Sequence, residues 1–187
     1  CRTALDMMEE LKALQKKWAD EGRPVLDIGV GINTGDMVVG NMGSEMRFDY
    51  TVMGDSVNLG SRLEGINKEY GTNIVISEFT YEAVREALCC RELDMVRVKG
   101  KKLPVRIYEL LGEKRDEARF RDLIRLFEEA LAVYRQGRWD EAIAAFERVL
   151  TVRPGDPPSL LYIERCRDLK QEPPAQPWDG VFTMTRK

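Results

Sequence analysis

Histidine is absent from this chain of 187 residues. That absence removes His-based triads, imidazole bases and His-ligated metals. Any chemistry is left to carboxylates, Lys, Arg, polar side chains or a bound substrate. Cysteine is sparse: Cys1, Cys89, Cys90 and Cys166 show no C-x-x-C spacing, so neither a zinc site nor a disulfide framework is indicated. Adjacent Cys89 and Cys90 read as strand residues of a protein in a reducing compartment. No apolar run approaches a membrane span, and nothing resembles a signal peptide. An excess of basic charge is also missing; a net charge of −3 lacks the footprint of a nucleic-acid binder. What is present, 43% hydrophobic and 33% charged residues, supports a packed core under an ordinary charged surface. The chain begins at Cys1 inside a helical pattern without an initiator Met, which reads as a piece of something longer.

Residues 4–20 have helical spacing, with Leu5, Met8, Leu11, Leu14 and Trp18 at intervals of three and four. The EGRP segment then breaks the helix. From Leu26 to Asn33, Ile28, Val30 and Ile32 share one face of a predicted strand and Gly29 and Gly31 the other. Two glycines on one face admit a close backbone or ligand, or plain packing against a helix. Asn33-Thr34-Gly35 is a turn signal, and residues 36–40 read as the return strand of a hairpin. Beyond a polar loop come a strand at Tyr50–Met53 and a helix over 56–69 ended by Gly71. Then follow a short buried strand (NIVI, 73–76), a helix capped by Ser77, and strands near 93–98 and 105–111.

The helix over 56–69 carries Asn58 and Arg62 four residues apart, on the same face and one turn from each other. Leu59, Leu63 and Ile66 fall on the neighbouring face and hold it to a core. An amide and a guanidinium near a helix start suit an anionic oxygen or phosphate. A surface Arg paired with a carboxylate, beside an Asn left over from a cap, explains those two residues equally well.

The longer stretch IGVGINTGDMVVGNMGSEMRFDYTVMGDSVNLGSRLE, Ile28 to Glu64, closely resembles the core signature of the class III nucleotidyl cyclases. The resemblance continues more weakly through VRVKGKKLPVRIYEL (96–110) and covers residues 1–112. It implies an α+β fold, a ferredoxin-like cyclase sheet with helices, present here in part and followed by a small all-α hairpin. It implies an adenylate cyclase that converts ATP to 3′,5′-cyclic AMP and pyrophosphate at the interface of a homodimer, working in the cytoplasm or on the cytoplasmic side of a membrane-anchored protein. By the same resemblance Asn58 orients the ribose and Arg62 stabilises the pentavalent transition state. Lys99 binds the terminal phosphates, although without the resemblance it reads as a solvated turn lysine. Thr51 matches the base-reading position; guanylate cyclases commonly carry Cys there, so Thr51 favours ATP, although a strand hydroxyl is otherwise unremarked.

The family uses two Mg2+ or Mn2+ ions held by two Asp residues. No FxDIxGF-like or GDxxxAxF-like segment occurs, so those ligands are expected upstream and no metal ligand is assigned in this chain. Asp55 belongs to the strand-to-helix turn and is not assigned as a ligand. On this reading the fragment alone is inactive. Guanylate cyclase is one alternative; a catalytically inactive binding module acting through the helical hairpin is another.

Residues 113–170 form a second region, with amphipathic helices over 118–136 and 139–152 joined at Gly137 and a further helix over 158–169. YRQGRWDEAIAAFERVLTVRPGD (134–156) looks like a tetratricopeptide repeat, with Ala130, Gly137, Ala142, Phe146 and Pro154 at the expected offsets. One unit cannot stand alone, so it should pack on the first region or on a protein partner. The tail, 171–187, reads as an extended strap with an exposed Trp178.

Overall fold

The structure, a computed structural model, describes residues 1–44, 47–97, 103–175 and 177–183. The elements run α1 (Arg2–Asp20), β1 (Val30–Ile32), β2 (Val38–Ser44), β3 (Arg47–Met53), α2 (Asp55–Tyr70), β4 (Ile74–Ser77) and α3 (Glu78–Val84). They continue with β5 (Leu88–Arg97), β6 (Val105–Glu113), α4 (Glu117–Tyr134), α5 (Trp139–Val152), α6 (Pro157–Gln171) and β7 (Phe182–Thr183). Among the described residues, five strands form a mixed sheet in the order β1-β4-β6-β5-β7, while β2 and β3 pair only with each other. The architecture is α+β, with the helical region at the C-terminal end.

Alternation along the strands decides which helices cover which face. Val75, Leu93, Val96, Val105 and Ile107 point to one side, where they share a core with Leu59, Leu63, Ile66 and Tyr70 of α2 and with α4, α5 and α6. Ile74, Ile76, Tyr108 and Leu110 point to the other, where Ala4 of α1 and Tyr81 and Val84 of α3 close over them. The Tyr81 and Tyr108 rings stack with centroids 3.9 Å apart. The helical hairpin therefore spends its apolar face on its own chain. Phe127, Phe146 and Tyr162 lie wholly buried between α4, α5, α6 and the sheet.

Two sequence expectations are corrected. The strand after Asn33-Thr34-Gly35 does not fold back on β1. Instead β1 runs parallel to β4, with Val30 opposite Ile74, and β2 pairs antiparallel with β3. The reason is steric and polar together. A β-carbon on Gly31 would lie 2.2 Å from the Glu64 backbone nitrogen, so β1 is pressed against α2, and Asn33 is bonded to α2 and β4 rather than to a returning strand. Gly29 and Gly31 thus serve close helix packing. In the tail, Phe182 and Thr183 pair in parallel with β5, and Trp178 is half-buried rather than exposed, edge-on to Tyr134 and Trp139 with centroids 5.3 and 4.9 Å away. No helix among the described residues is long and apolar enough to cross a membrane.

Candidate active site

Gly54 makes the site possible by turning β3 directly into α2. Its φ of 151° is a conformation that side-chain-bearing residues rarely adopt, and a β-carbon would meet the Asp36 carbonyl at 3.3 Å. The Asn58 amide donates to the Gly54 carbonyl at 3.1 Å, closing the first helical turn. The backbone N–H groups of Asp55, Ser56 and Val57 precede that first bond and face outward from the positive end of the helix dipole.

Asn58 is exposed and Arg62 half-buried on α2. Four residues separate them, an axial offset of ~6 Å on one face. No carboxylate among the described residues pairs with the Arg62 guanidinium. The bland reading, an Arg committed to a structural ion pair, is therefore not what the structure shows. Thr51, on the strand leading into the same turn, is exposed and lies opposite Gly40 in the β2–β3 ladder. Thr51, Asn58 and Arg62 are thus carried by one strand–turn–helix unit. Lys99 lies outside the described residues.

Residues that sequence reasoning took only as turn formers hold this unit in place. Asn33 donates from Nδ2 to the Ser56 carbonyl at 2.9 Å and accepts from the Ser77 hydroxyl at 2.6 Å. The hydroxyls of Thr34 and Thr80 lie 3.0 Å apart. A β-carbon on Gly35 would stand 2.3 Å from Ser56 Oγ. The start of α2 is therefore pinned to β1, β4 and α3. Only the N-T-G turn signal was available in the sequence, because its partners lie far along the chain.

The far end of α2 is equally fixed. Gly71 caps it in the left-handed conformation, φ 64°, and a β-carbon there would collide with Pro157 at 2.5 Å. Burial, with the Asp94 carboxylate beside it, pushes the Tyr70 phenol well above its ordinary pKa. The hydroxyl stays protonated and donates to Asp94 Oδ2 at 2.6 Å.

Among the described residues no three His, Cys, Asp or Glu side chains gather as a cation site.

One strand–turn–helix unit thus presents the Asn58 amide and a guanidinium that has no carboxylate partner among the described residues. The match to the adenylate and guanylate cyclase catalytic domain over residues 1–112 gives the class, and the chain belongs to that family. It is 37% identical over 146 residues to the terminal-differentiation-specific adenylate cyclase of Dictyostelium discoideum, covering 75% of this chain and 7% of that protein. That alignment runs past residue 112 into the helices. Adenylate cyclase 1 of Rhizobium meliloti is 39% identical over 112 residues, 60% of this chain and 17% of that one. The chain thus spans a small part of these curated relatives. Among solved structures, the adenylyl cyclase CyaB of P. aeruginosa superposes with a TM-score of 0.53 at 37% identity, over 60% of this chain and 57% of that one.

Proposed function

We propose that this chain supplies the transition-state-binding part of an adenylate cyclase, which forms 3′,5′-cyclic AMP and pyrophosphate from ATP. The observation that carries this reading is the half-buried Arg62, with no carboxylate partner among the described residues, one turn from Asn58 on a helix fixed at both ends.

The ribose 3′-oxygen bonds to the α-phosphorus, its proton passes to water, and the bond from the α-phosphorus to the oxygen bridging the β-phosphate breaks, releasing pyrophosphate. Negative charge grows on the α-phosphoryl oxygens. A guanidinium fork already in place strengthens its bonds as that charge rises, which lowers the barrier without reorganisation. Asn58 orients the ribose so that its hydroxyl faces phosphorus, which is a gain in positioning. Thr51 reads the adenine edge, and Lys99 neutralises the terminal phosphates. Mg2+ or Mn2+, the divalent ions such chemistry uses, would be held by groups beyond the described residues.

A second copy of the catalytic domain completes the site. Val38, Val39, Val52 and Met53 on the β2–β3 ribbon are all exposed, as is Tyr50 at 76%. Both faces of the ribbon are therefore open, and an apolar ribbon of this kind is a surface for another chain. In this reading the domains are the catalytic portion at 1–112, the helical region at 113–170 and the strap at 171–187, in a cytoplasmic setting.

The test is product analysis with the whole polypeptide, ATP or GTP, and Mg2+ or Mn2+. Cyclic AMP from ATP in excess over cyclic GMP from GTP supports the reading. Preferential cyclic GMP formation makes it a guanylate cyclase, and no cyclic product from either nucleotide makes it a binding module.

A further inference from the structure

Five charged side chains are buried among the described residues: Arg91, Asp94, Glu109, Asp156 and Arg165. They form two groups, and each ties α6 to the cyclase sheet. In the first, Arg91 of β5 bonds Glu109 of β6 and donates from Nη1 to Asp156 Oδ2 at 2.8 Å. The same Asp156 oxygen caps α6 by accepting from the Ser159 amide at 3.1 Å.

The second group lies under the last turn of α2. Arg165 of α6 donates from Nη1 to Asp94 Oδ2 at 2.8 Å, and both its terminal nitrogens lie 3.3 Å from the Tyr70 hydroxyl. Its guanidinium stacks on Phe182 of β7 at 3.7 Å from the ring centre and reaches Glu69 at 3.9 Å. Tyr162, from the same helix, donates to the Leu93 carbonyl at 2.8 Å. One guanidinium therefore joins the end of α2, the middle of β5 and the tail strap. β5 is the strand whose next residues in sequence include Lys99, and α2 is the helix that carries Asn58 and Arg62.

A buried ion pair adds little stability over apolar packing, but a planar fork bonded to a fixed carboxylate admits one geometry. A helix is stiff, so fixing its last turn fixes the bearing of its first. We infer that Arg165 is a positioning residue for the cyclisation: by locking Tyr70 and Asp94 together it sets where Asn58 and Arg62 stand. Helices α4 to α6 are then part of the catalytic unit rather than an appended binding module. The inference rests on the function proposed above for α2.

The experiment compares Arg165→Lys, which keeps the charge and loses the fork, and Tyr70→Phe, which removes a single hydroxyl, with Arg167→Ala, an exposed control on the same helix. Two quantities are measured on the whole polypeptide: kcat and KM for ATP per folded molecule, and hydrogen exchange at the amides of residues 58–62. Arg165→Lys and Tyr70→Phe should lower kcat about ten-fold with KM unchanged within about two-fold, and should speed exchange at 58–62 by about ten-fold. The control should do neither. A lower folded fraction with unchanged kcat per folded molecule would show a merely structural role and overturn the inference. If the wild type makes no cyclic nucleotide, the proposed function fails, and the exchange data alone decide whether Arg165 governs the far end of α2. Unchanged exchange in both variants overturns it.

Discussion

Gly31 of β1 and Glu64 of α2 approach so closely that a β-carbon on Gly31 would stand 2.2 Å from the Glu64 backbone nitrogen. This contact sets the depth at which α2 lies on the sheet and hence the height of its outer face. Gly31→Ala must push strand and helix apart, and it should destabilise the fold by about 1–3 kcal/mol. Gly65→Ala, on the same helix with nothing within 4 Å, should instead stabilise it by roughly 0.5–1 kcal/mol. Urea denaturation of both variants checks the pair; equal effects would remove the packing argument.

The local pattern was enough for some elements and not for others. Helix α2 was legible because Gly71 stops it and because Leu59, Leu63 and Ile66 repeat along one side. The buried NIVI strand and the α4–α5 hairpin were legible for the same kind of reason. Strand pairing was not, because what turns β1 toward β4 is Asn33 bonding to groups 23 and 44 residues away. The buried charges were also hidden. Arg165 and Asp94 are 71 residues apart, and each alone looks like a surface residue. Trp178 looked exposed because its neighbours are proline and polar, while its ring partners, Tyr134 and Trp139, lie in another element. At the site, the spacing of Asn58 and Arg62 was readable; that no carboxylate among the described residues pairs with Arg62 needed three dimensions.

Nucleotide choice should follow Thr51. Thr51→Cys removes a hydroxyl from an exposed strand position, so the fold should be unaffected. The ratio of kcat/KM for ATP over GTP should fall by about ten-fold, as expected where a hydrogen-bonding group at the base edge is lost. Equal ratios before and after would discard the assignment.

The β2–β3 ribbon should govern assembly. Val39→Lys places a charge on a half-exposed apolar strand and should shift the chain toward monomer in light scattering, with its melting temperature held. Cyclisation should fall in parallel. A dimer of unchanged affinity would place the second copy elsewhere.

Alkaline pH should unfold the protein through its buried thiols and phenols. Burial pushes Cys90 and Cys166 up from 9.0 to about 12, so the folded state keeps protons that the unfolded state has lost. A raised folded pKa means that the stability is fully present below pH 9 and is lost as pH climbs toward about 12. Each such group contributes a slope of about −1.4 kcal/mol per pH unit inside that window. Denaturation midpoints measured from pH 8 upward should decline from about pH 9, less steeply in Cys166→Ala. A flat profile would contradict the raised pKa of the buried Cys166 and the half-buried Cys90.

The most direct test of the whole account is turnover by Arg62→Ala in the complete polypeptide with saturating ATP. Arg62 gives up no ion pair among the described residues, so the variant should fold and melt like the parent. Its kcat for cyclic AMP should fall by about 10²–10³, the usual loss when a preorganised charge-stabilising donor is removed. A kcat within a few-fold of the parent would show that the guanidinium does not meet the reacting phosphate.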